Sequence, residues 1–96
     1  MATKKSYALW YYMKGSDPIP LYENPRTIQN ARKAAYRHLK TEPIGSSIII
    51  LDDYAIGNPE VGTVKKTSSV HKYMVWYPKG GSKRYLRADG TIFDKE

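Results

Sequence analysis

The sequence predicts an α+β fold, with a single helix packed on a mainly antiparallel sheet of four to five strands, in the order β-α-β-β-β with one optional further strand. Three observations predict it. Several short segments are rich in Tyr, Trp and Ile, a composition typical of strands. One segment has apolar residues at helical spacing. Gly, Pro and Asp-Gly turn signals separate these segments. The 96 residues are enough for one domain over residues 1–96 and too few for two.

The first element is a strand over residues 6–14 (SYALWYYMK). Both of its alternating sets of side chains are apolar. Such a strand lies in the interior of a sheet or has one face covered by a helix. Residues 15–18 (GSDP) end the strand, and residues 19–23 form a short connection.

The second element is a helix that starts at Asn24-Pro25 and runs to about Lys40. Asn caps free backbone amides, and Pro at the first helical position loses nothing by lacking its N–H group. Pro43 disfavours helical backbone in the residue before it. At 100° per residue, the apolar stripe consists of Ile28, Ala31, Ala35 and Leu39, and the opposite face carries Arg26, Asn30, Lys33, Arg37 and Lys40.

The remaining elements are strands. Residues 46–52 (SSIIILD) predict a fully buried strand, and Gly, Asn and Pro mark a loop over residues 55–60. Residues 61–93 predict a meander of three or four strands. Its segments are 61–67, 70–77, 83–88 and 91–93, with turns near Thr67-Ser68-Ser69, at residues 78–82 and at Asp89-Gly90.

The composition narrows the classes of function. The absence of Cys excludes disulfides, thiolate catalysis and Cys-ligated zinc. The longest aliphatic run, residues 48–51, is far shorter than the ~20 residues of a membrane span. The apolar stretch near the N-terminus is too short and too rich in Tyr for a signal peptide. We therefore expect a cytoplasmic protein with no membrane partner, cofactor or metal.

The charge is unevenly distributed along the chain. The net charge is +7; residues 25–41 carry five cations and residues 61–88 carry seven, and neither segment contains an acid. Residues 42–60 between them carry four acids and no cation. Such segregation shapes the surface potential and favours a negatively charged partner.

The cationic face of the predicted helix is the first candidate site. Its ridge of cations is about 21 Å long, enough to contact several phosphates of a nucleic acid. A face that served only solubility would alternate Glu with Lys at i,i+4 spacing, and this one has no Glu. The alternative interpretation is an ordinary solvated face. The predicted phosphate contacts are Arg26, Lys33, Arg37 and Lys40.

The meander is the second candidate site, because it combines cations with aromatic rings. Bases of single-stranded nucleic acids stack on such rings, and their phosphates meet the cations. The alternative is that the rings fill the core and the lysines protect sheet edges. The residues are Lys65, Lys66, Lys72, Lys83, Arg84 and Arg87 with Tyr73, Trp76, Tyr77 and Tyr85; among them Lys83, Arg84 and Arg87 of the last hairpin are the predicted phosphate contacts.

Other chemistry has less support. Residues 79–84 (KGGSKR) lack the spacing of a phosphate-binding loop and precede a strand, not a helix. Asp52 and Asp53 are adjacent in a strand and point to opposite faces, so they do not form a metal site. His38 and His71 would form an acid–base pair for metal-independent RNA cleavage only if the fold brought them together around one phosphate.

The segments YALWYY (residues 7–12), NPRTIQNAR (24–32) and YLRADGTI (85–92) resemble small uncharacterised proteins encoded by prophages of lactic acid bacteria. The resemblance covers most of the chain and supplies no site residues. It implies a setting in which proteins of this size bind nucleic acid or interfere with host machinery. The sequence thus favours a non-enzymatic, non-specific nucleic-acid-binding module. The alternatives are an interaction module for an acidic protein and a small metal-independent ribonuclease.

Overall fold

The computed structural model describes residues 6–53, 57, 59–67 and 73–94. Within them, one helix packs on a single antiparallel sheet, which confirms the α+β class. The elements are β1 (Tyr7–Tyr12), β2 (Ile19–Leu21), α1 (Ile28–Leu39), β3 (Ser47–Asp52), β4 (Glu60–Lys65), β5 (Met74–Pro78), β6 (Arg84–Leu86) and β7 (Ile92–Phe93). The sheet order is β2-β1-β3-β4-β5-β6-β7, so the prediction of four to five strands is wrong, since the described residues form seven.

One of the strands, β2, lies in a segment for which the sequence predicts no strand. Residues 19–23 were expected to form a connection, yet Ile19 pairs with Tyr11 and Leu21 pairs with Leu9 along the edge of β1. Pro20 lacks an N–H group, which excludes it from a central strand but not from an edge strand. Pro20 is therefore compatible with the position of β2 at the edge of the sheet.

The helix starts later than predicted. Thr27 is its N-cap, and the Thr27 hydroxyl accepts a hydrogen bond from the Asn30 amide at 3.1 Å. Pro25 does not belong to the helix, and its carbonyl accepts a hydrogen bond from the Tyr7 amide at 2.9 Å. The expected start at Asn24-Pro25 is thus wrong, and Arg26 precedes the helix. The helix ends at Leu39, with Lys40 as its C-cap, close to the predicted end.

One face of the sheet is covered by α1 and holds the core. In the predicted stripe, Ala31, Ala35 and Leu39 are fully buried and Ile28 is partly buried, and Ala34 and Tyr36 are buried as well. Burial raises the pKa of the Tyr36 hydroxyl. The small alanines bring the helix close to the strands. The sheet contributes Leu9, Ile48, Ile50, Val64, Met74, Trp76 and Leu86 to this core.

The C-terminal end of α1 is held by a buried lysine. Lys66 is only 6% exposed, and its Nζ donates hydrogen bonds to the carbonyls of Lys40 at 2.9 Å and of Glu42 at 2.6 Å. The last carbonyls of a helix have no partner within the helix and lie at its negative end. The ammonium group therefore caps the helix from the end of β4.

The last hairpin packs against the first half of α1. Arg32 Nε donates a hydrogen bond to the Gly90 carbonyl at 2.9 Å, and the Arg32 guanidinium lies 5.4 Å from the centroid of the Trp76 ring. Gly90 has a φ of +88°, and a Cβ atom there would lie 2.2 Å from the backbone oxygen of Gln29. The predicted Asp89-Gly90 turn is confirmed, and only glycine fits it.

Two features fix the position of β4 between its neighbours. The Trp76 ring lies over Gly62, where a Cβ atom would come within 2.5 Å of the indole. The pairing of β3 with β4 is irregular between Ile50 and Leu51, which indicates a β-bulge. β4 and β5 pair as antiparallel neighbours, but most of their predicted turn near Thr67-Ser68-Ser69 lies outside the described residues. In the described part of the chain, no helix is long and apolar enough to cross a membrane.

Candidate nucleic-acid interface

The sheet face away from α1, here called the open face, carries two long rows and one short row of side chains that cross the strands. Directly paired residues of antiparallel strands point to the same side, so the register defines each row. The first row is Tyr12, Ser47, Lys65, Val75, Tyr85 and Phe93. The second row is Pro20, Trp10, Ile49, Thr63 and Tyr77. The short third row is Ala8, Leu51 and Glu60.

Cations lie against aromatic rings at one end of the first row. Lys83 Nζ is 5.8 Å from the centroid of the Tyr85 ring, and the Arg87 guanidinium is 4.4 Å from that of Phe93. Both distances are within the range of a cation–π interaction. The Tyr73 ring meets Tyr85 and Phe93 edge-on, with centroids 5.4 and 6.0 Å apart. This end of the open face is therefore a packed aromatic cluster with two cations on it.

The other end of the open face is a shallow groove of about 670 Å³. Tyr12 and Tyr77 line it together with two exposed cations, Lys14 and Lys65. The Tyr77 side chain is among the exposed large apolar groups, at 39%. Ser47, Thr63 and Gly45 complete the lining. Rings and cations thus alternate at both ends of the open face.

Two of the three predicted contacts on the last hairpin lie on the open face. Residues 83, 85 and 87 alternate with 84 and 86, so Lys83 and Arg87 lie on the same side as the Tyr85 ring. Arg84 points to the side of α1, and its Nε donates a hydrogen bond to Asp94 Oδ1 at 2.6 Å. The structure therefore separates Arg84 from its two neighbours.

The predicted helix contacts lie on the far side of the molecule. Lys33, Arg37 and Lys40 are exposed on α1, while Arg26 is exposed in the segment before it. Lys33, Arg37 and Lys40 border a groove of about 630 Å³ that also contacts Pro25 and Ala88, and Arg26 does not line it. Because α1 covers the other side of the sheet, the helix cations and the open face do not form one continuous basic surface.

One acid partly neutralises the helix cations. Arg37 Nη2 donates a hydrogen bond to Glu23 Oε1 at 2.6 Å, and His38 Nε2 contacts the other carboxylate oxygen. The hydrogen bonds from Arg37 and His38 lower the pKa of the Glu23 carboxyl, which stays ionised. The other three predicted contacts, Arg26, Lys33 and Lys40, take part in none of the described ion pairs.

The sequence did not reveal which rings share the open face. Trp76 and Lys66 were expected there, but both are buried on the side of α1. Trp10, Tyr12 and Phe93 were missed, although alternation along their strands places them with Lys65 and Tyr85 once the register is known. Lys72, also predicted for this surface, lies outside the described residues.

The histidine hypothesis stays a prediction. His38 contacts Glu23, and His71 lies outside the described residues. In the described part of the chain, no group of three His, Cys, Asp or Glu side chains is arranged to hold a metal ion. Comparisons with protein-family models, with curated proteins and with solved structures each give no match. The candidate interface therefore depends on geometry and charge alone.

Proposed function

We propose that this protein is a non-enzymatic nucleic-acid-binding module that contacts phosphates without strong sequence specificity. The observation that carries the proposal is the open face, where Lys83 and Arg87 lie on aromatic rings and Lys14 and Lys65 border a groove with two more rings. Cations that alternate with aromatic rings suit a nucleic acid, because the cations contact its phosphates and the rings contact the flat faces of its bases.

The open face supports this function better than the helix surface does. No acid lines the groove beside Lys14 and Lys65. Lys83 and Arg87 take part in none of the described ion pairs, although Arg87 lies near enough to Asp89 to lower the pKa of that carboxyl further, after the hydrogen bonds from Thr91. On the helix surface, in contrast, Glu23 pairs with Arg37. We therefore move the main phosphate contacts from the helix to Lys14, Lys65, Lys83 and Arg87.

Fluorescence anisotropy with labelled 20-nucleotide DNA and RNA, single-stranded and duplex, tests the proposal. With four phosphates neutralised, log K should fall against log salt with a slope of about −3 for single strands and about −4 for duplex. Absence of binding to all four ligands at about 50 mM salt would remove the proposal.

Two double variants with the same net charge locate the contacts. Lys65→Gln with Lys83→Gln removes two cations from the open face, and Lys33→Gln with Lys40→Gln removes two from the helix surface. We expect the first pair to reduce the slope by about 1.4 for single strands and the second pair to leave it unchanged. If both pairs reduce the slope equally, the ligand is attracted by the net charge of the protein and there is no defined site.

A further inference from the structure

The rings of the open face lie at the two ends of a long path across the sheet. Tyr12 and Phe93 terminate the first row, which crosses the six strands from β1 to β7. At about 4.8 Å between neighbouring strands, these two rings are about 24 Å apart. Trp10 and Tyr77, in the second row, are separated by about 14 Å. This length suits several consecutive nucleotides.

The face is unsuited to a protein core. Three polar residues, Ser47, Lys65 and Thr63, lie in the middle of the two long rows beside two apolar ones, Ile49 and Val75. A second sheet or helix packed there would bury the Lys65 ammonium, which is costly without a charged or polar partner. A strand of nucleic acid supplies such a partner, because each nucleotide combines a flat base with an anionic phosphate.

The same geometry selects against a duplex. The major groove of B-DNA is about 12 Å wide and admits a two-stranded ribbon, whereas the first row alone is twice as wide. The bases of a duplex are stacked on one another and present only their edges in the grooves. Rings such as Tyr12 and Tyr77 would then contact no base faces.

We propose that the open face binds single-stranded DNA or RNA, with bases stacked on Trp10, Tyr12 and Tyr77 and phosphates bound by Lys83 and Arg87 above the Tyr85–Phe93 cluster, and that it discriminates against duplexes. This inference rests on the proposed function, and it adds the class of ligand and the residues that contact the bases. None of the ring contacts depends on a particular base, so the binding is tolerant of sequence.

The two tryptophans of the chain provide a reporter, because they lie on opposite faces of the sheet. Trp76 is 5% exposed beneath Arg32, whereas Trp10 lies on the open face. Titration with single strands of dT or rU should quench the emission of wild-type protein. Trp10→Phe keeps a ring in place and leaves Trp76 as the emitter, so its emission should not change, although the strand still binds.

A comparison of ligands separates base stacking from phosphate contact: an abasic strand has the same phosphates as a normal strand, and a duplex has twice as many. An abasic strand of the same length should bind at least ~10-fold more weakly than the strand with bases, since each stacked base contributes a factor of about 5 to 150. Duplex should bind at least ~10-fold more weakly at equal salt. Tyr12→Leu and Tyr77→Leu, which keep apolar bulk, should each weaken the binding of dT by ~5-fold or more and leave the binding of the abasic strand unchanged.

The outcomes distinguish this inference from the proposed function. If no nucleic acid binds, the proposed function fails. If the abasic strand or the duplex binds as tightly as the single strand, or if Trp10 is not quenched, the stacking inference is overturned while the phosphate-binding function stands. A stable homodimer in sedimentation, with Trp10 shielded from acrylamide in the absence of ligand, would also overturn it, because a second copy would then occupy the open face.

Discussion

Replacement of Lys66 by Met tests whether a buried cation stabilises the C-terminal end of the helix. The variant keeps the length and apolar stem of the side chain but removes the ammonium group. Its two hydrogen bonds to the carbonyls of Lys40 and Glu42 are lost with it. The core contacts of the stem remain. Any change in the free energy of unfolding therefore reports mainly on the cap.

The magnitude follows from the two hydrogen bonds. A hydrogen bond to a charged group contributes about 1.5–3 kcal/mol, and burial of the ammonium offsets part of the total. Water reaches the freed carbonyls in part, because Lys40 is exposed. We expect Lys66→Met to lower the free energy of unfolding by about 2–3 kcal/mol. For a domain of this size that is a fall in Tm of roughly 10–20 °C.

Urea denaturation followed by far-UV circular dichroism measures the effect. The midpoint should fall while the m-value stays constant. Lys65→Met is the matched control, since Lys65 is the preceding residue, is exposed and points to the open face; its free energy of unfolding should change by less than about 0.5 kcal/mol. An unchanged or higher midpoint for Lys66→Met would refute the reasoning, because burial of the charge would then cost as much as its hydrogen bonds contribute.

Three further substitutions test other parts of the fold. Gly90→Ala should lower the free energy of unfolding by about 2–5 kcal/mol, because the new Cβ atom collides with Gln29 in addition to the strain of the left-handed backbone. The control is Gly15→Ala, which has a φ of +90° but open space around it and should cost only about 1–2 kcal/mol. Equal losses in the free energy of unfolding, measured by denaturant, would contradict the contact. Glu23→Gln should cost under about 1 kcal/mol at about pH 7. Because the folded-state pKa of this carboxyl lies below its ordinary value of 4.5, that difference should be fully present above pH 4.5 and be lost as the pH falls through the lower folded-state pKa. Urea midpoints that differ by the same amount at neutral pH and at acid pH would exclude it. Thr27→Ala should cost about 1 kcal/mol by loss of the N-cap, and a thermal midpoint equal to that of the wild type would argue against this cap.

Local patterns were sufficient to predict the helix, most of the strands and the last turn. Where they failed, a tertiary contact decided the outcome. Asn24-Pro25 has the stronger capping signal, but pairing of the Pro25 carbonyl with Tyr7 extends the backbone there and leaves Thr27 to cap the helix. The strand β2 exists because the edge of β1 offers it hydrogen bonds, a partner that no local pattern of residues 19–23 reveals.

The candidate site was predictable in part. Alternation alone separates Lys83 and Arg87 from Arg84, and the sequence contains that signal. Which face the helix covers was not predictable, because both alternating sets of β1 are apolar. The adjacent residues Lys65 and Lys66 are a second example. Lys65 lies on the open face and Lys66 in the core, and the position of the helix end decides which of the two is buried.

The position of β4 has a consequence for how the gene can vary. A slip of one residue along this strand would move Val61 or Thr63 beneath the Trp76 indole in place of Gly62, and it would turn the capping ammonium of Lys66 away from the helix. The bulge beside Ile50 already accommodates one extra residue of β4, and a second would shift the pairing of the rest of the strand. Insertions and deletions within residues 60–66 should therefore abolish folding, even where substitution of the outward-facing side chains is tolerated.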